Sequence, residues 1–139
     1  MTASGAQQQP QKFDFPWTPM PYLELMVNVK IPNETEFSVE FAKFGAKALG
    51  RPESYMSSSV TYNRTLTFAG TLEPAFALTV VILNSELNPE ANEEYSAALS
   101  EFLQEKLDIP NDRGYINFCD PGRGYLGYKG TTFATILGK

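Results

Sequence analysis

The stretch TPMPYLELMVNV, residues 18–29, decides the fold. Leu23, Leu25 and Val27 alternate with Glu24, Met26 and Asn28 and continue to Val29, the period-two pattern of a strand with one buried face. Pro21 stands at the head of that strand, directly behind a methionine. Either it is an ordinary strand opener, since the first residue of a strand needs no ladder N–H, or it is meant to be an N-terminus. Residue type alone favours the opener, so the rest of the chain has to decide.

Downstream, the period changes. In NETEFSVEFAKFGAKALGRP, residues 33–52, the side chains of Phe37, Phe41, Phe44 and Ala48 fall at helical spacing. Asn33 with Glu36 makes a capping-box-like start, and Gly50 with Pro52 supplies the stop. YMSSSVTYN, residues 55–63, alternates again and predicts a second strand. The second half repeats this order: AFALTVVIL (75–83) has strand length, NPEANEEYSAALSEFLQEKLDI (88–109) is a helix capped by Asn88 with Pro89 in its first turn, and GYINFC (114–119) returns as a strand. Two tandem β-α-β units predict an α/β (α+β) domain, a four-stranded mixed sheet with two helices on one face. The run from Ala75 to Leu83 is apolar enough to suggest that the other face is covered too, by another copy of the chain. The Gly-punctuated tail RGYLGYKGTTFATIL, residues 123–137, suits a hairpin that reaches a neighbour.

Composition narrows the chemistry. The 139 residues suit one domain, expected over residues 21–139, with residues 1–20, polar and rich in Gln and Pro, as a flexible extension carrying Phe13, Phe15 and Trp17. A formal charge of −5 without a basic cluster argues against nucleic acid and anionic lipid. No apolar run has the length of a membrane span, and the first residues lack a secretory pattern, so the expected location is the cytoplasm, or outside the cell by a route without a signal peptide. Histidine is absent, which removes Ser–His and Cys–His pairs, the usual zinc sites and imidazole acid–base work. The single cysteine, Cys119, reads as a buried structural thiol. Asn33 and Asn63 match the glycosylation pattern, but read as a helix cap and a turn residue.

The segments MPYLEL, GRPESYMSSSV, LTFAGTLEPAFAL, DRGYINFCD and GYKGTTFA occur in this order between Met20 and Ala134. In sequence and spacing they resemble the macrophage migration inhibitory factor and D-dopachrome tautomerase family of the tautomerase superfamily. That resemblance implies a homotrimer whose sheets line a central channel, with active sites at the subunit interfaces and no cofactor or metal. It also implies that Pro21 is the catalytic base, acting as a free N-terminal amine on small keto–enol substrates such as phenylpyruvate- or dopachrome-like acids. Arg51 stands where the family has a lysine beside the pocket, and its guanidinium suits a substrate carboxylate; a solvated charge after a helix is the plain alternative. Tyr115 and Asn117 match positions that face a neighbouring subunit's substrate, Leu83 a backbone contact to ligand, and Leu126, Tyr128 and Phe133 apolar wall positions. Ala75 and Leu78 replace the family's Cys-x-x-Cys, so the thiol-oxidoreductase activity proposed for it is expected to be absent. Tyr128 replaces a wall tryptophan. With residues 1–20 in place the Pro21 nitrogen is a tertiary amide and has no basicity. The competing expectation is therefore a non-catalytic trimeric binding or secreted signalling protein with a capped site, and a third keeps Arg51 for hydration, dehalogenation or decarboxylation of a small acid.

Overall fold

The computed structural model describes residues 21–83 and 88–138, so the expected extension, residues 1–20, lies outside the described residues. Strand β1 (Tyr22–Val27) leads into helix α1 (Glu34–Leu49), β2 (Ser57–Tyr62) and β3 (Phe76–Val81), then helix α2 (Pro89–Leu107) and β4 (Gly114–Cys119). The helix starts follow from their caps. The Asn33 side chain accepts the Glu36 N–H at 3.0 Å and the Asn88 side chain accepts the Ala91 N–H at 2.9 Å, each satisfying a backbone donor that the first turn leaves without an intrahelical partner. Gly50 ends α1 in the left-handed region at φ 67°, where the absence of a Cβ removes the steric penalty. Asn63 is the expected turn residue, its Oδ1 accepting from both the N–H and the hydroxyl of Thr65.

The sheet order is β2-β1-β3-β4. Each β-α-β unit is parallel, β1 with β2 and β3 with β4, while β1 and β3 run antiparallel at the centre, which makes the sheet mixed. Both helices cover one face. There Leu23, Leu25, Val27, Phe76, Leu78 and Val80 pack against Phe37, Phe41, Leu49, Leu99, Phe102 and Leu103 in one core cluster. Phe102 is its hub, with ring centroids 4.5 Å from Phe44, 5.8 Å from Phe41 and 5.9 Å from Phe37. Gly45 lets α1 come close to the sheet, because a Cβ there would stand 2.5 Å from Leu23 Cδ1.

Two expectations change. The opposite face is not apolar: register places Ser59, Glu24, Thr79 and Asn117 in one row across it, with Thr61, Met26, Ala77 and Tyr115 in the next. The run 75–83 hides this because its even-numbered residues Phe76, Leu78 and Val80 face the helices while Ala77 and Thr79 point the other way, so apolar burial of this face does not argue for a partner. Cys119 is half-buried rather than buried, as the last residue of an edge strand, level with Val81.

The tail forms the expected hairpin, β5 (Gly127–Tyr128) against β6 (Thr131–Thr132), turning through Lys129 at φ 56° and Gly130 at φ 77°. The short helix α3 (Phe133–Ile136) follows directly. Among the described residues no helix is long and apolar enough to cross a membrane.

Candidate active site

Pro21 is buried and begins the sheet: its carbonyl accepts the Ser57 N–H at 3.2 Å, one step before the Tyr22–Ser57 pair. The strand thus holds the residue in place through its carbonyl, and proline has no N–H to leave unpaired. Leu83, wholly buried, follows the end of β3 at the same edge of the sheet, because antiparallel pairing sets Val81 opposite Tyr22.

Arg51 belongs to this end as well, in the connection that leads from α1 to Ser57. It is not the solvated charge of the plain alternative. It is 9 % exposed, the one charged residue among the buried described residues, its backbone N–H bonds Ala46 O at 2.9 Å, and its Nη1 donates to the carbonyls of Leu49 and Gly50 at 3.4 and 3.5 Å. A guanidinium on the last carbonyls of a helix also complements the negative end of the helix dipole.

The tail leaves the sheet from the same end, since Cys119 is level with Val81. Its three candidate wall residues form one unit: Tyr128 stacks on Phe133 with centroids 5.6 Å apart and planes 1° apart, and the Phe133 N–H bonds Leu126 O at 3.1 Å. Phe133 is fully buried.

Tyr115 and Asn117 are elsewhere. Tyr115 is level with Ala77 and Met26, at the far end of β1, and Asn117 is level with Thr79 in mid-sheet. Strand rise and spacing put the Tyr115 and Pro21 backbones roughly 20 Å apart within one chain. One chain does not bring these candidate residues together.

The Tyr115 end carries a polar clamp that local pattern does not reveal. Asn28 Nδ2 donates to the carbonyls of Leu66, Leu72 and Glu73 at 3.0, 3.2 and 2.9 Å, while its Oδ1 accepts the Ala75 N–H at 2.7 Å. Arg113 donates to the carbonyls of Phe68, Glu73 and Pro74 at 2.9, 2.9 and 3.1 Å. The loop between β2 and β3 is thereby fixed, and it walls a cavity of about 420 Å³ with Leu66, Phe68, Phe76, Ala77 and Tyr115. The sequence signal was the segments LTFAGTLEPAFAL and DRGYINFCD themselves, which period-based reading passes over because these bonds join side chain to backbone across long separations. Among the described residues no three His, Cys, Asp or Glu side chains gather as metal ligands.

Comparison with known proteins extends this picture. The family model for macrophage migration inhibitory factor matches residues 20–134, beginning one residue before Pro21. A homologue of that factor from Trichuris trichiura is 36 % identical over 115 residues, 82 % of this chain and 100 % of the relative. The factor from Rattus norvegicus is 32 % identical over 112 residues, 78 % of this chain and 96 % of the relative. The structure of the Trichinella spiralis factor superposes with a TM-score of 0.73 at 29 % identity, covering 81 % of this chain and 99 % of that one.

Proposed function

Because the chain belongs to the macrophage migration inhibitory factor family, we propose that it is a keto–enol tautomerase of small aromatic or 2-keto acids, phenylpyruvate- or dopachrome-like, with Pro21 as general base once that residue is an N-terminus. The observation that carries this reading is the position of Pro21: buried at the head of β1, its carbonyl held by Ser57, one residue inside the start of the family match. A free prolyl nitrogen is a secondary amine. Burial penalises its ammonium form and lowers its pKa below the ordinary α-amino value of roughly 8, leaving unprotonated amine near neutrality. Such a base takes a proton from the carbon beside a carbonyl and returns it to the other end of the enol, so no atom is gained or lost.

The enolate oxygen needs a donor, and the Tyr115 phenol supplies one from a second chain, since its own Pro21 lies at the other end of the sheet. The active unit is then a homotrimer with composite sites. Leu126, Tyr128 and Phe133 form the apolar wall, Leu83 offers its backbone to the ligand, Asn117 adds a polar contact from the neighbour, and the Arg51 guanidinium binds the substrate carboxylate.

A second reading has its own support in the acylated Pro21 nitrogen of the 139-residue chain: a binding or signalling trimer whose site is capped. Three proteins separate the readings: the full chain, a chain beginning at Pro21, and one in which residues 1–19 are replaced by a short Gly–Ser tail ahead of Met20. With phenylpyruvate as substrate, turnover by the Pro21 chain alone is the expected result. Equal activity in the Gly–Ser form would mean that another group moves the proton, and inactivity of all three would leave the binding protein.

A further inference from the structure

We infer that Phe68, itself clamped by Arg113, is a positioning residue that fixes the orientation of the Tyr115 ring. Tyr115 is 78 % exposed on β4, which is an edge strand among the described residues. Its cross-strand partner is Ala77, too small to hold a phenol ring in one rotamer. The aromatic contact is with Phe68, whose ring meets Tyr115 edge to face at 5.2 Å between centroids and 63° between planes.

Phe68 is held in its turn. A two-residue turn through Ala69 at φ 52° and Gly70 at φ 79° closes reciprocal backbone bonds between Phe68 and Thr71, at 3.1 and 3.0 Å. The Arg113 guanidinium bonds the Phe68 carbonyl, spans to Glu73 and Pro74, and stands 5.3 Å from the centre of the Phe68 ring. Arg113 immediately precedes β4 and Tyr115 is its second residue, and both contact the Phe68 ring. The three bonds leave three different nitrogens, Nε, Nη1 and Nη2, a planar spread that the single nitrogen of a lysine does not have. The result is a line of support running from Arg113 through Phe68 to Tyr115. The inference rests on the proposed function for the purpose of that orientation, since a hydrogen bond to an enolate oxygen depends on where the phenol points.

The test reads orientation separately from activity. The full chain is labelled with 3-fluorotyrosine, and the Tyr115 fluorine resonance is assigned by its loss in Tyr115→Phe. Arg113→Met keeps the Phe68 ring but releases it, and should broaden or shift that resonance; Phe68→Leu, which also removes the ring current, should shift it further; and Leu72→Ala, at an exposed residue of the same loop, should leave it in place. In chains beginning at Pro21, Phe68→Leu should lower kcat about tenfold with KM little changed, the pattern of a misplaced donor rather than a lost binding contact. A resonance unmoved in Arg113→Met overturns the inference, and so does a native kcat in Phe68→Leu. If the parent chain beginning at Pro21 turns over no substrate, the tautomerase reading fails by itself, and the fluorine resonance in Arg113→Met, where the Phe68 ring current is kept, still decides whether the clamped ring holds Tyr115.

Discussion

The two ends of the sheet are built by different physics. At one end Pro21, Leu83 and Arg51 are buried, and the described contacts that hold them are a strand pairing and a helix terminus. At the other, Asn28 and Arg113 tie down a whole loop through side-chain bonds to backbone, and Tyr115 stands out into solvent. The first end suits a group whose pKa has to be lowered by its surroundings; the second suits a donor that must be presented to something else. One chain keeps Pro21 and Tyr115 at opposite ends of its sheet, so on the proposed function each chain supplies two half-sites and completes neither.

That contrast can be broken by removing the clamp. Asn28→Ala deletes the two N–H donors shared among three carbonyls and the oxygen that accepts the Ala75 N–H, and should lower unfolding stability by about 2–3 kcal/mol at net values of about 1 kcal/mol per hydrogen bond. Urea unfolding monitored by circular dichroism measures it. A loss below about half a kilocalorie would mean that the loop is held by its own turns and not by the clamp.

At the other end the substitution of interest is Arg51→Ala in a chain beginning at Pro21. Loss of a charged hydrogen bond to a substrate carboxylate should raise KM for a 2-keto acid by a factor corresponding to about 1.5–3 kcal/mol. The guanidinium also contacts the Leu49 and Gly50 carbonyls, so the melting temperature should fall in parallel. A lower melting temperature with unchanged KM would leave Arg51 a purely structural residue and sharpen the division between the two ends.

The smallest effect lies away from both ends. Lys106 and Glu40 join α2 to α1 through a 2.8 Å ion pair on the surface. The hydrogen bond to Glu40, followed by that carboxylate's charge, raises the Lys106 pKa above its ordinary 10.5. A raised lysine pKa stabilises the fold fully below the unfolded value, and this is lost as pH climbs through the folded one. Glu40→Gln should therefore melt slightly below the native chain at about pH 9 in low salt and together with it at about pH 12. A gap that persists at the higher pH would show that Glu40 acts by packing rather than by charge.

Much of the fold was legible because local pattern and global packing agree. Leu23, Leu25 and Val27 alternate in sequence and are buried in the structure, and Asn33, Asn88 and Gly50 cap the helices they were expected to cap. The character of the open face was not legible, because in AFALTVVIL the small or weakly polar Ala77 and Thr79 sit among aliphatic neighbours and blur the alternation. The burial of Arg51 was equally hidden, since a cation after a helix looks solvated until it is seen to fold back onto the carbonyls of Leu49 and Gly50. For the candidate site, residue types and order were readable through family resemblance. The separation of Pro21 from Tyr115 was not, because it depends on the antiparallel register of β1 and β3, which no local window contains.

The central claim, that the two half-sites meet only between chains, is tested most directly by mixing two defective proteins. One is the full chain, with Pro21 acylated and Tyr115 intact; the other begins at Pro21 and carries Tyr115→Phe. Refolded together, they should form mixed assemblies in which the free amine of one chain faces the phenol of the other. Phenylpyruvate tautomerisation well above the sum of the two proteins refolded separately is the expected result, and activity equal to that sum would show that the free amine and the phenol do not meet between chains.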